Sequence, residues 1–293
     1  MIEVRNLTHD YEGKGNPSVR DMSFTIQEGT IFGFLGPSGA GKSTTQALMT
    51  GLLRIQQGEV LYGGKAIQKQ SQDFYNQIGM SFEHPNVYGK LTGLENLKYY
   101  AGLFSVPTEQ PQRLLDLVGL TDAATRRTSA YSKGMKQRLV FARALVNKPR
   151  ILFLDEPTSG LDPATAEKVK QIIREKRDEG CTIFLTTHNM QIADDLCDTV
   201  AFIHDGRIVA MDAPRTLKLQ YGQRSVAVEF ADSPEPKHGS SKSRVTREIL
   251  FPERPDDARR LTELITTRQV ETMHSQEASL EQIFIKLTGR GLA

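Results

Sequence analysis

Apolar and polar residues divide the chain into short blocks of two different periods. Ile31-Phe32-Gly33-Phe34-Leu35, Ile151-Leu152-Phe153-Leu154 and Thr182-Ile183-Phe184-Leu185 are continuous runs of strand length, the pattern of strands buried on both faces. Thr44 to Leu53 and Val140 to Val146 read as helices. Val200 to Val209 is a pair of apolar strands joined by Asp205-Gly206, a dipeptide suited to a tight hairpin turn. Strand and helix alternate from 151 to 210, which predicts a largely parallel sheet covered by helices, an α/β fold. Residues 1 to about 75 read as short strands. Those from about 85 to 147 read as mostly helical, with turn signals at Pro107, Pro111 and Gly119.

After about Gln220 the character changes. Ser225 to Phe230 alternates as a strand does, and Ser233 to Ser243 is a polar linker of Pro, Ser and Lys. Asp256 to Thr267 reads as an amphipathic helix with Leu261, Leu264 and Ile265 on one face. Ser279 and Gln282 form a capping box for a last helix through Ile283, Phe284 and Leu287. The pattern therefore predicts a main domain over 1–220, with a helical subdomain at about 85–147, and a small α+β domain over 221–293. No catalytic constellation falls in the second. Its plain role is an appendage packed against a twin in a dimer, and a regulatory ligand site is the sharper alternative.

The chemistry starts where the first buried strand ends. Gly36-Pro37-Ser38-Gly39-Ala40-Gly41-Lys42-Ser43-Thr44 matches G-x-x-x-x-G-K-[ST], set between a strand and a helix as this motif requires. Glycines let backbone N–H groups turn inward on a phosphate chain, the helix N-terminus adds partial positive charge, and Lys42 adds a full one. Ser43 can hold Mg²⁺ through its hydroxyl. The run from Ile151 delivers Asp155 and Glu156 at its end. Asp155 stands where a second contact on the metal side is needed, and Glu156 can polarise a water attacking a γ-phosphate. An Asp-Glu-Pro that merely ends a strand is the plain alternative, disfavoured by the phosphate loop upstream. Thr186-Thr187-His188 ends the next strand, which places His188 to touch the γ-phosphate.

Composition narrows the rest. At 293 residues and 38% hydrophobic content the chain can build one large domain and a small one. No apolar run approaches the roughly 20 residues that cross a bilayer, and Met1-Ile2-Glu3-Val4-Arg5 enters a strand pattern without a signal-peptide core. The expectation is a chain that is not itself a pore. Cys181 and Cys197 fit neither a disulfide framework nor metal spacing and are expected to be core thiols in a reducing cytosol. Apart from His188, the six histidines are scattered. A net charge of +2, without a basic stripe or aromatic platform, gives no reason to expect a nucleic-acid partner.

Between the two phosphate-directed motifs stands Tyr131-Ser132-Lys133-Gly134-Met135-Lys136-Gln137-Arg138-Leu139 at the start of a helix. Ser and Gly there make an anion-binding N-terminus with no evident ligand in its own chain. A small kinase or GTPase leaves this segment unexplained. Over roughly residues 1 to 220 the sequence resembles the ABC-type ATPases. That resemblance implies an ATP- and Mg²⁺-dependent ATPase domain with a mixed sheet core and a helical signature subdomain. It also implies a second nucleotide-binding subunit, identical or related, paired head to tail. Ser132 and Gly134 would then contact the γ-phosphate in trans, and Tyr11 would match the aromatic that stacks on adenine. A strand-end tyrosine packed on the sheet is the plain alternative for Tyr11.

Two departures from the family pattern stand out. Lys133 and Met135 replace a glycine and the glutamine of the usual signature. In Ile78-Gly79-Met80-Ser81-Phe82-Glu83-His84-Pro85, Glu83 aligns with a glutamine that senses Mg²⁺ and the attacking water. A carboxylate can still ligate the metal but adds negative charge near phosphates. The signature is similar to that of the subgroup whose partners are ABC-2-type permeases, many of them drug or antibiotic exporters. The stretch from Phe82 to Leu97 resembles a branch labelled fluoroquinolone-type efflux. The resemblance implies an exporter motor on the cytoplasmic face of the membrane, with the segment around His84 to Tyr100 facing the permease. An importer motor, a soluble ABC clamp and a degenerate site without turnover are the alternatives, the last opposed by intact Lys42, Glu156 and His188.

Overall fold

The computed structural model describes residues 1–13, 15–223, 225–231, 245–267 and 270–289; the expected linker Ser233 to Ser243 lies outside them. The chain divides into two compact units, Met1–Pro214 and Arg215–Arg290.

In the first unit, β1 (Ile2–His9) and β2 (Val19–Ile26) form an antiparallel hairpin, and β3 (Ile31–Leu35) leads through a loop into α1 (Lys42–Met49). Then come β4 (Gln57–Tyr62), the short β5 (Lys65–Ala66), α2 (Gln72–Tyr75) and β6 (Ile78–Ser81). A helical stretch holds α3 (Gly93–Ala101), α4 (Pro111–Leu117) and α5 (Lys133–Ala144). The unit closes with β7 (Ile151–Asp155), α6 (Pro163–Asp178), β8 (Thr182–Thr187), α7 (Met190–Leu196), β9 (Thr199–His204) and β10 (Arg207–Asp212).

The strands form two sheets, not one. The central sheet runs β10-β9-β3-β8-β7-β6 and is parallel apart from β10, as the alternating pattern predicts. The early strands instead make a separate antiparallel sheet, β2-β1-β4-β5. Phenylalanines fill the space between them. Phe24 of β2 stacks on Phe32 of β3 with centroids 5.3 Å apart, and Phe184 lies 6.2 Å from Phe32 and 5.7 Å from Phe153. Each ring is buried, and burying a side chain of this size contributes about 1.5–3 kcal/mol.

Register places the working edge. Leu35 pairs with Thr187, and Asp155 with Thr186. The chain therefore leaves β3, β7 and β8 at the same level, the carboxyl edge where open α/β sheets bind ligands. On the β9–β10 hairpin both Asp205 and Gly206 have positive φ, 46° and 75°, the turn geometry that matches strand twist.

Helix ends depart from the pattern for identifiable reasons. The expected helix to Leu53 stops at Met49, because Thr50 is the C-cap and Gly51 follows at φ 75°. The expected helix to Val146 starts earlier, behind Ser132, and ends at Ala144. Leu145 and Val146 are taken into tightened turns, their N–H groups donating to Ala142 and Arg143, ahead of Lys148 at φ 49° and Pro149.

The second unit opens with α8 (Pro214–Tyr221) and contains β11 (Ser225–Ala231), β12 (Val245–Leu250), α9 (Pro255–Thr266), β13 (Val270–Gln276) and α10 (Leu280–Thr288). Its sheet, β12-β11-β13, is antiparallel. Val228, Phe230, Leu250 and Leu264 form its core, with Val226, Leu261 and Val270 packed on them. Ile265, expected on the same helix face as Leu264, is 48% exposed; one residue turns a helix by about 100° and carries it off the apolar stripe. The Ser279–Gln282 capping box is formed in both directions.

Candidate active site

The loop after β3 is shaped by close backbone approach. A methyl group at Gly36 would run into the carbonyl of Ile203 on β9. Gly41, at φ 103°, lets the loop pass against the carbonyl of Ser18. Between them Pro37 is half-buried, Ser38 and Gly39 form an exposed apex, and Ala40 is buried. Gly41 supplies no side-chain cap to α1, which leaves first-turn N–H groups in the state that receives an anion. Lys42 is buried, and its ammonium donates to the carbonyls of Gly36 at 2.7 Å and Pro37 at 3.0 Å. Burial holds its pKa below the ordinary value of 10.5, opposed by Glu156, Asp155 and Glu83 in that order. Two neutral carbonyls are weaker partners for an ammonium than phosphate oxygens are, so the side chain is ready to exchange them.

The carboxylates converge from the next strands. Asp155 ends β7; one oxygen accepts from the Thr186 hydroxyl and the other lies 3.4 Å from Ser43 Oγ. A hydroxyl and a carboxylate suit a hard divalent cation completed by phosphate oxygens and water. Among the described residues no group of three or more His, Cys, Asp or Glu could hold a metal ion by itself. Extended backbone would send Asp155 and Glu156 to opposite faces. Glu156 instead adopts φ 47°, a left-handed conformation that costs about 1–2 kcal/mol for a residue with a Cβ. The turn brings both carboxylates to the end of β8. Glu156, buried, accepts from Thr187 Oγ1 at 2.9 Å and from the His188 N–H at 2.8 Å, and lies 2.7 Å from His188 Nδ1.

His188 is anchored at one nitrogen while its side chain stays 56% exposed. A neutral imidazole has one N–H. If Nδ1 gives that proton to Glu156, Nε2 is an acceptor and has nothing to donate outward. The ring can hold carboxylate and phosphate together only as the imidazolium.

The other expected residues divide into two places. Tyr11 is 60% exposed beyond the end of β1, and its hydroxyl lies 3.3 Å from Thr44 Oγ1. The ring is exposed, and its edge packs against His9 at the end of β1. Glu83, exposed just past β6, is close enough to act on the Lys42 charge. Ser132 and Gly134 are elsewhere. Ser132 caps α5 by accepting from the Met135 N–H at 3.2 Å, and the nearest atoms to Gly134 belong to Gly160 and Leu161 on the turn after β7. Thr186 and Thr187 carry contacts that sequence reasoning did not assign to them. Their signal was a pair of hydroxyls ending a strand buried throughout.

Comparison with known proteins supplies the family. The family model described as ABC transporter matches residues 19–159. The fluoroquinolones export ATP-binding protein of Mycobacterium tuberculosis is 49% identical over 292 residues, covering 100% of this chain and 94% of the relative. The daunorubicin resistance ATP-binding protein DrrA2 of Streptomyces coeruleorubidus is 33% identical, over 92% of this chain and 89% of that one. Among solved structures, an ATP-binding subunit of an ABC transporter superposes with a TM-score of 0.68 at 26% identity, covering 75% of this chain and 93% of the other. A dimeric ATP-binding cassette in a post-hydrolysis state with ADP and Pi gives 0.67 at 25% identity, over 73% and 98%.

Proposed function

The chain belongs to the ABC transporter family as an ATP-binding, ATP-hydrolysing subunit, and on that footing we propose that it powers export of a drug-like small molecule through a separately encoded ABC-2-type permease. The observation that carries the catalytic part is Glu156, a buried carboxylate fixed at the sheet edge beside Lys42. Gly36, Pro37, Ser38, Gly39, Ala40, Gly41, Lys42, Ser43 and Thr44 hold the phosphates, and Tyr11 the base. Ser43 and Asp155, with Glu83 alongside, would hold Mg²⁺, which supplies charge neutralisation at the phosphate oxygens. Glu156 takes a proton from water as its oxygen bonds to the γ-phosphorus; the bond to ADP breaks and ADP leaves with the electron pair. His188 steadies the γ-phosphate. Ser132 and Gly134 would serve the site of a second nucleotide-binding subunit, identical or related, a reading supported by the dimeric state of the solved cassette.

Export of a drug-like cargo is supported by what the relatives are named for, fluoroquinolone export and daunorubicin resistance. Among the described residues no helix is long and apolar enough to cross a membrane; a peripheral place on the cytoplasmic face, beside a permease, is supported by the export ATP-binding relative. Mg-ATP turnover of the native chain and Glu156→Gln tests the core of the reading, with dimerisation followed by light scattering. The variant is expected to keep ATP binding, accumulate an ATP-bound dimer and lose about 10² to 10⁴ in turnover. Undiminished turnover removes Glu156 from the role of base. Glu83→Gln is expected to change turnover or its Mg²⁺ dependence; if neither moves, Glu83 is not at the metal.

A further inference from the structure

Tyr11 lies two residues past the last β1–β2 pair, His9 with Val19, so the sheet does not by itself fix its ring. The loop that carries it is built around the preceding side chain. Asp10 accepts the N–H of Glu12 at 3.0 Å on one oxygen and the N–H of Gly15 at 2.8 Å on the other. The N–H groups of Gly13 and Asn16 pull on the same carboxylate; desolvation opposes these bonds, which nonetheless hold Asp10 below its ordinary pKa. Its backbone is clamped too. Gln56 accepts the Asp10 N–H at 2.7 Å and donates to the Asp10 carbonyl at 2.9 Å. Held this way, the Tyr11 ring stands edge-on to buried His9, with centroids 4.7 Å apart at 84°. Its far end reaches Thr44 at the start of α1. An aromatic ring that is mostly exposed is thus fixed at its root, its edge and its hydroxyl.

We propose that Asp10 is a positioning residue for the nucleotide base: by gathering the N–H groups of Glu12, Gly13, Gly15 and Asn16 onto its carboxylate it presets Tyr11 as a platform tied to the phosphate loop. The proposal rests on the reading of Tyr11 as the base platform and deepens it. Rigid presentation lowers the ordering cost of binding, and only a ligand with a base gains from it. Inorganic tripolyphosphate offers the same anionic oxygens without the base. Calorimetric titration of ATP and of tripolyphosphate into the native chain, Asp10→Asn, Gln56→Ala and Tyr11→Ala therefore separates the effects. An amide has one acceptor oxygen where the carboxylate has two and turns an NH₂ toward the loop N–H groups. Asp10→Asn is expected to weaken ATP about fivefold while tripolyphosphate stays within about twofold. Gln56→Ala loosens the same loop from its exposed side and gives the same selective loss, should Asp10→Asn not fold. An undiminished ATP preference in both variants overturns the proposal, as does equal weakening of both ligands, which would place Asp10 in general support of the fold. A native chain that does not prefer ATP, or a Tyr11→Ala chain that keeps the preference, removes the base platform itself and the proposal with it.

Discussion

Lys42 is a cation folded into a buried place against two carbonyls, and its proton reports on nucleotide. Its folded pKa is depressed from 10.5 by burial. Between that depressed value and 10.5 the unfolded chain binds more protons, so stability rises with pH across this window. Phosphate favours the ammonium, so ATP affinity has the opposite sign: full below the depressed value and falling as pH climbs toward 10.5. Calorimetry over a pH series approaching 10.5, in buffers of different ionisation enthalpy, should show proton uptake on binding; heats independent of buffer throughout the series would contradict it. Thr187→Val keeps shape but removes a buried donor from Glu156, a loss of about 1–3 kcal/mol, measurable as a lowered midpoint in thermal melts. Most site residues were legible because phosphate chemistry demands their types in order. Thr187 and Asp10 were not, since their work is to hold another side chain, and only a three-dimensional partner reveals it.

At the scale of the element, Ser132 combines two duties that a suitable variant separates. It caps α5, a contribution of about 1 kcal/mol, and in the proposed assembly it meets phosphate oxygens. Ser132→Asp keeps a good cap and suits the helix dipole but sets a carboxylate against phosphate. Melting temperature is expected to hold while the ATP-trapped dimer in the Glu156→Gln background disappears; a persisting dimer would place Ser132 away from nucleotide. The buried strands β3, β7 and β8 were legible because each is an unbroken apolar run. The antiparallel sheet of β1, β2 and β4 was not. Val4 pairs with Phe24 on one side and Val60 on the other, and partners so far apart in sequence leave no local period. Helix α1 ran short of its pattern because apolar residues past Gly51 continued a rhythm that the glycine had already ended.

For the whole molecule, the α/β class followed from alternation; the boundary expected near Gln220 falls past Pro214, where the first compact unit ends. The role of the second unit did not follow, since its described residues form a core without any chemistry-bearing cluster. Every described side chain proposed for nucleotide lies before Pro214, and the hydrophobic clusters of the two units share no residue. A chain ending at Pro214 is therefore expected to bind ATP within about twofold of the full chain. Loss of binding in a folded truncation would give the second unit a part in the site.

Glu156 waits with two donors already on its carboxylate, the Thr187 hydroxyl and the His188 N–H, and with the ring nitrogen His188 Nδ1 2.7 Å away. A carboxylate offers about four acceptor positions, so one remains for a water. In its proposed role the base is thus braced on the end of β8 before any nucleotide arrives.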